Sequence, residues 1–419
     1  MNTPTGTTFS VKEISLARAT ILVVLWVLPL IIFLGALKYG WLEIWSAFGV
    51  PSYKPPFLDL RVVTSGLTTL HHGGDPLIYN PADPLGRALN YPRIWLLLFS
   101  FFHINDGNVI FLGLGICVVY LLCISHLLLH SSSDLEAFVI LLAALSLSAL
   151  FGMERGNIDL LMFGLVYAGS ALVKGRVRSV LFAAAAVLKI YPIAALAVDV
   201  AQKDKKQRTW PRMLLGMVIL ILAAQAKDIN LIRYGTPVSS VESYGILSIN
   251  ALVIRYADNL GVAVPFALGF RTAAGCLLIG VCAALIAWSK PGELKRIRKE
   301  AGRYDLFAVF AAIYAFSFAL GSNWDYRLIF LIPTLPLAFQ LGRLRIYRHW
   351  AVLYIAAVLF SMNSYVLRTE AALLLMHAVF YLIFLFVIVG LVQQLRNEDP
   401  PGEPRVAALR DMLRGSSSD

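Results

Sequence analysis

The feature that most constrains this chain is a series of apolar runs long enough to cross a bilayer. A membrane helix needs about 20 mostly apolar residues to span about 30 Å of hydrocarbon. The first such run is 19–37 (ATILVVLWVLPLIIFLGAL). It is longer than a typical signal core and no small-residue cleavage site follows it, so it reads as a retained first span. Further runs fall at 108–130, 135–152, 158–173, 213–226, 263–289, 305–320, 328–341, 351–362 and 372–395. The expectation is an all-α polytopic membrane protein with about ten full spans. Composition agrees: 58% of residues are hydrophobic, 15% are charged and mean hydropathy is +0.73. An average soluble domain carries about 25% charged residues. Soluble, disordered, collagen-like and disulfide-scaffold classes are excluded. Cys117, Cys123, Cys276 and Cys282 all lie inside apolar runs and read as buried thiols.

Two stretches do not fit full spans. Residues 94–102 (IWLLLFSFF) are too short, and 180–200 is interrupted at its centre by Lys189, Tyr191 and Pro192. Charge placement resolves the second. The net charge is +11, from 36 Lys+Arg against 25 Asp+Glu. In a soluble protein this would point to nucleic acid. Here the basic residues cluster at Lys174–Arg178, 203–212, 290–303, 343–348 and 396–414, which the positive-inside rule assigns to the cytoplasm. No nucleic-acid partner is then implied, and both termini are cytoplasmic. The clusters on either side of 180–200 share a face only if that segment is a re-entrant hairpin, raising the membrane helices to as many as 12. Pro192 removes a backbone donor and disfavours helix at Tyr191, so the break falls at 189–192 with Lys189 at the tip. The chain divides into one transmembrane domain, 1–395, and a polar tail, 396–419, expected to be disordered. Within the domain lie a first outer loop (39–93), the hairpin (179–201) and a second large outer loop (227–262).

The polar residues near these apolar runs are the candidates for chemistry. Asp59, in PPFLDLRVV, is either a helix cap or partner of Arg61, or a general base near the membrane surface. In HHGGDPLIYN, Gly-Gly and Asp-Pro mark a tight turn. His71, His72, Asp75 and Tyr79 there are candidates to line a substrate site. Adjacent histidines rarely converge on one ion and no metal-ligand spacing supports them, so no metal site is assigned. Glu154, Arg155, Asn157 and Asp159 form a polar corner between two spans. It is either a solvated turn with an internal ion pair or part of a site, since an ionisable group inside a span is by default a functional hypothesis. Lys189 either snorkels to an interface or meets a phosphate in a cavity. Asp325, Tyr326 and Arg327 form a similar corner, where Arg327 pairs with Asp325 or clamps a phosphate. Lys189, Arg327 and Arg155 would then frame a cationic pocket, with Asp59 above it.

These motifs resemble those of the family 87 glycosyltransferases of the GT-C class. The matching residues are Asp59, DPLIY at 75–79, Asn90-Tyr91-Pro92, Gly156-Asn157 within ERGNID, LKIYP at 188–192, and Tyr326-Arg327 before LIFLIP. Each is short, and their order over 59–333 carries the resemblance. It implies a GT-C fold in a bacterial inner membrane, with amphipathic helices in the first outer loop and an active site facing the periplasm. It also implies an inverting, metal-independent transfer without cofactor from a polyprenyl-phosphate sugar, mannose by family weighting, to a glycolipid or glycan acceptor. Asp59 would be the catalytic base. Lys189 and Arg327, with Tyr191 and Arg155, would hold the donor phosphate. Many relatives carry a His before the late Tyr, where this chain has Asn323-Trp324-Asp325, so sugar or acceptor choice is expected to differ. Two other classes remain open: a transporter or flippase of lipids or lipid-linked sugars, and a non-catalytic subunit of envelope polysaccharide assembly. Transporters often carry inverted repeats, and none is visible here.

Overall fold

The computed structural model describes residues 15–202, 208–236, 239, 241–262, 266–289, 301–345, 347–364 and 369–396. The tail beyond 396 and the basic segments at 203–207 and 290–300 lie outside the described residues.

The chain is overwhelmingly helical, as apolar runs must be where the bilayer offers no partner for backbone groups. Among the described residues four helices are long and apolar enough to cross a membrane: Leu16–Tyr39, Val109–Leu129, Arg303–Leu320 and Ala371–Gln393. The number becomes six when each of two bent pairs is one span. Local chemistry interrupts the other runs. Asp134–Ala144 gives way to Leu147–Arg155 across a 47° bend, where the Ser146 hydroxyl caps the new helix by accepting from the Ala149 N–H. Thr209–Ala224 turns by 69° into Ala226–Gly235. The run 328–341 is a 3₁₀ helix, Asp325–Thr334, followed by the α-helix Leu335–Gly342. Pro333 and Pro336 each lack a backbone donor, which suits them to the junction between two short helices.

The run 180–200 forms two helices, Gly175–Leu188 and Ile193–Gln202, with Lys189 in extended backbone between them. They pack antiparallel. Ser179, near the start of the first, donates to Asp199, near the end of the second, at 2.5 Å. Arg178 lies 3.0 Å from the same carboxylate and also pairs with Asp305. The proline explains the tip: in a continuous helix the Leu188 carbonyl would accept from residue 192, which has no N–H. The Trp95 indole supplies the missing donor at 2.9 Å. Trp95 belongs to the short helix Ile94–Phe101, which buries Trp95, Leu96 and Phe99 and turns Leu97 and Phe101 outward.

The two long loops, 39–93 and 227–262, carry helices of their own. The first contributes helices Trp41–Ala47 and Leu58–His71, and the second contributes helix Ile246–Asn259. One element departs from the all-helical expectation. Ser243–Tyr244 pairs antiparallel with Asn323–Trp324, Ser243 opposite Trp324 and Tyr244 opposite Asn323. This ladder ties the second loop to the corner that precedes Asp325. Beneath it the helix Ala301–Leu320 carries an aromatic core: Phe310 packs on Phe163 and Phe330, at 5.4 and 5.9 Å between ring centroids.

Candidate active site

The polar corner of residues 154–157 is the hinge of the site. Gly156 ends one helix in the left-handed region at φ +58°, and a Cβ there would meet the Phe57 ring at 2.8 Å. Phe57 therefore sits flush against the corner and brings the start of Leu58–His71 with it. Asn157 caps the next helix: its Oδ1 accepts from the Asp159 N–H at 2.8 Å. Its amide nitrogen reaches the other way and donates to Asp59 Oδ2 at 2.6 Å.

Asp59, in the first turn of Leu58–His71, is thus anchored by Asn157 and makes no hydrogen bond or ion pair with Arg61 among the described residues. Arg61 faces Asp106 at 3.4 Å and donates to the Pro56 carbonyl at 2.8 Å. The cation on Asp59 is Arg87, whose Nη1 is 3.1 Å from Oδ1. Arg87 also donates to Asp83 and to the Leu58 carbonyl. Burial works against the Arg87 charge, but Asp83 and Asp59 more than offset it and raise its pKa above the usual guanidinium value. Arg155 approaches the same carboxylate to 4.0 Å.

Asp159 is fully buried in the first turn of Ile158–Tyr167 and collects three partners from distant segments. Lys189 forms an ion pair with Oδ1, and the Tyr191 hydroxyl donates to the same oxygen at 2.7 Å. Arg327 donates through Nε to Oδ2 at 2.8 Å. The hairpin tip and the late 3₁₀ helix therefore converge on one carboxylate. Aromatic faces complete the shell: Lys189 lies 4.9 Å from the Tyr91 ring and Arg327 4.9 Å from the Tyr191 ring. Phe330, 5.4 Å from Tyr191, backs that ring from the core.

Two cations share one anion at Asp159, which leaves a local excess of one positive charge. Arg327 uses Nε on Asp159 and Nη1 on Asn323. A guanidinium has five N–H donors and an ammonium three, so donors remain on both side chains. Such a pair can accept one anionic group without breaking its bonds to Asp159.

The remaining candidates distribute as follows. Glu154 is buried and accepts from the Trp41 indole at 2.8 Å and the Tyr53 N–H at 3.1 Å. Arg155 stacks on Tyr53 and Phe151, at 4.2 and 4.9 Å from the ring centroids. It sits with Asp59 rather than with Lys189 and Arg327. Tyr326 is buried against Phe151 at 5.7 Å. Asp325 is fully buried, and neither carboxylate oxygen has a hydrogen-bond partner among the described residues. Arg327 bonds to Asp159 and Asn323 instead.

His71, His72, Asp75 and Tyr79 lie around the far end of Leu58–His71, about 18 Å from Asp59 along its axis at ~1.5 Å per residue. They form a separate cluster. Arg93 clasps Asp75 through two bonds, 3.0 and 2.8 Å, and holds Asp228 of the second loop at 2.8 Å. Hydrogen bonding to Arg93 keeps the Asp75 carboxyl below its ordinary pKa. Among the described residues no group of three or more His, Cys, Asp or Glu side chains is placed to hold a metal ion.

Arg87 and Asp159 complete the site in ways their local sequence signals weakly. Asp83 and Arg87 are close in sequence and pair within an irregular turn. Nothing local links Arg87 to Asp59, 28 positions earlier. Asp159 stands out in its corner, but its partners come from two remote segments.

The sequence model of a family described as Glycosyltransferase family 87 matches residues 89–302. This segment contains the polar corner, Asp159 and the hairpin tip. No curated protein and no solved structure matches the chain.

Proposed function

The chain belongs to glycosyltransferase family 87, and on that premise we propose that it moves a sugar from a polyprenyl-phosphate donor to an acceptor hydroxyl at the outer face of the membrane, with Asp59 as the general base. The observation that carries this reading is Asn157. It binds the Asp59 carboxylate with one end and caps Asp159 with the other. A proton acceptor and the carboxylate that gathers the two cations are thereby held at one corner.

In this mechanism the donor phosphodiester, which has one negative charge, sits on the free donors of Lys189 and Arg327. The positive excess at Asp159 matches that charge. The acceptor oxygen attacks the anomeric carbon from the opposite face, the bond from that carbon to the phosphate oxygen breaks, and the hydroxyl proton passes to Asp59. The anomeric centre inverts. Polyprenyl phosphate leaves with its new charge stabilised by the two cations, which are already oriented and need no reorganisation. Arg87 and Asn157 fix the direction of the Asp59 carboxylate. No metal or cofactor takes part.

Mannose is the sugar favoured by the family. The basic clusters, through the positive-inside rule, support a reading with both termini in the cytoplasm, the hairpin 179–201 entering from that side and returning, and the site opening outward, as in an inner-membrane enzyme. The full helix count of ten to 12 belongs to the same proposal. The test is to incubate purified protein in lipid nanodiscs with polyprenyl-phosphate mannose, glucose, galactose and arabinose. One donor should be consumed with release of polyprenyl phosphate. If every donor survives while the protein moves lipid-linked sugars across the bilayer, the flippase reading replaces this one.

A further inference from the structure

A groove of about 570 Å³ opens at the far end of Leu58–His71, away from the Asp59 corner. It is lined by Thr68, Thr69, His72, Asp75, Ile78 and Tyr79, among others. We propose that this groove is a remote subsite for a neutral oligosaccharide, so that the acceptor is a glycan several sugar units long. This rests on the glycosyl-transfer reading above and adds the acceptor class to it.

The walls are fixed in place without a ligand. The Thr69 hydroxyl donates to Asn80 Oδ1 at 2.6 Å, and the fully buried Asn80 amide donates to Val62 O and Ser65 Oγ. The Gly74 N–H closes the turn on the Thr69 carbonyl at 3.0 Å, and the Ile78 and Tyr79 N–H groups both bond the Asp75 carbonyl at 3.0 Å. A site held in this way loses little freedom on binding.

These walls present exposed recognition groups. Ile78 and Tyr79 are 67% and 66% exposed, although the backbone beneath them is ordered. The Tyr79 hydroxyl has no partner among the described residues. His72, which lines the groove, engages the Thr68 carbonyl through Nδ1, so its Nε2 is not used in that bond. An exposed ring beside hydrogen-bonding groups suits a sugar, whose C–H face stacks on the aromatic and whose hydroxyls bond around it.

Charge argues against an anionic occupant. Two cations act on the groove-lining Asp75, Arg93 and Lys227, and Arg93 is clasped by Asp75 and Asp228, so two positive charges face two carboxylates. The donor phosphate therefore meets no net positive excess here, in contrast to the pair Lys189 and Arg327. Distance sets the length of the ligand. Thr68, Thr69 and His72 lie about 14 to 20 Å from Asp59 along the same helix, too far for one sugar to occupy the groove and react at Asp59. A chain of linked sugars spans both.

The experiment has two arms on the full-length protein in nanodiscs. The first measures binding without turnover, by saturation-transfer NMR with manno-, gluco-, galacto- and arabino-oligosaccharides of one to five units. At least one series should bind, more tightly with length, and Tyr79→Ala should weaken the longest member about tenfold, the loss of one aromatic contact. Tyr79→Phe should retain most of the affinity. The second arm uses the same sugars as acceptors with the consumed polyprenyl-phosphate donor. Acceptor KM should fall with length, and Tyr79→Ala should raise it for the longest member far more than it lowers kcat. Length-independent binding, or a Tyr79→Ala protein that binds long glycans as well as wild type, overturns the inference. If length-dependent, Tyr79-dependent binding is found but no sugar is transferred, the groove stands and the transfer reading fails.

Discussion

Asn157 donates its side-chain amide to Asp59 at 2.6 Å across the junction of the first outer loop and the polar corner. The other end of the same amide caps the helix that carries Asp159. Replacing Asn157 by Ala removes a cap worth about 0.5–2 kcal/mol and frees the Asp59 carboxylate to rotate. Turnover should fall by about 10- to 100-fold through misplacement of the base, with donor KM changed much less. Steady-state kinetics on Asn157→Ala checks this. A change confined to donor KM would show that Asn157 does not act through Asp59.

The Asp159 cluster makes a stability prediction. Removing one member of a buried ion pair leaves an uncompensated charge, at a cost of about 3–5 kcal/mol. Asp159→Ala strands Lys189 and Arg327 together and should lower the thermal unfolding midpoint sharply. Asp159→Ala combined with Lys189→Met leaves one cation and should recover part of the loss. Melting curves of the single and double variants in one detergent test the coupling. Additive losses would mean that the two side chains act independently.

Donor binding should depend on the two cations and hardly on Arg155. Lys189→Ala and Arg327→Lys are each expected to raise donor KM by about tenfold or more, since Arg327 acts through a fork that lysine cannot reproduce. Arg155→Lys should affect kcat more than donor KM, because Arg155 lies with Asp59. Equal effects of all three variants on donor KM would contradict this division.

The Arg93 clasp predicts a pH response in the outer loops. Arg93 holds the Asp75 carboxyl below its ordinary value of 3.8. Its contribution to loop order is therefore present above that value and is lost as pH falls through the lowered pKa. Amide protection factors of residues 73–93 should stay high from neutral pH to about 4 and fall below it. Asp75→Asn should show lower protection at neutral pH and lose most of the acid-dependent fall. An identical pH profile in wild type and Asp75→Asn would show that the clasp does not order the loop.

Much of the site could be read from local chemistry. Asp59, the 154–159 corner, LKIYP and Tyr326-Arg327 stand out because charged or helix-breaking residues interrupt apolar runs, where each is costly without a partner. What stayed hidden was the partnering. Asp159 meets Lys189 and Arg327 through the return of the hairpin and of the late 3₁₀ helix, contacts that no periodicity encodes. Arg87 looks like an ordinary turn residue and reaches Asp59 only when the first loop folds back on its helix. The membrane helices were legible as apolar runs, but their ends depend on single residues. Ser146 starts a new helix with its cap, and Gln225 marks a sharp turn that hydropathy does not show.

The most direct test of the account is a single-turnover measurement on Asp59→Asn with a radiolabelled sugar on the donor that the wild type consumes. The substitution keeps the shape of the side chain but cannot accept the hydroxyl proton. Donor affinity should stay within about twofold of wild type and transfer should slow by about 10²–10⁴-fold, the range for loss of a general base. Transfer at the wild-type rate by Asp59→Asn would contradict that role.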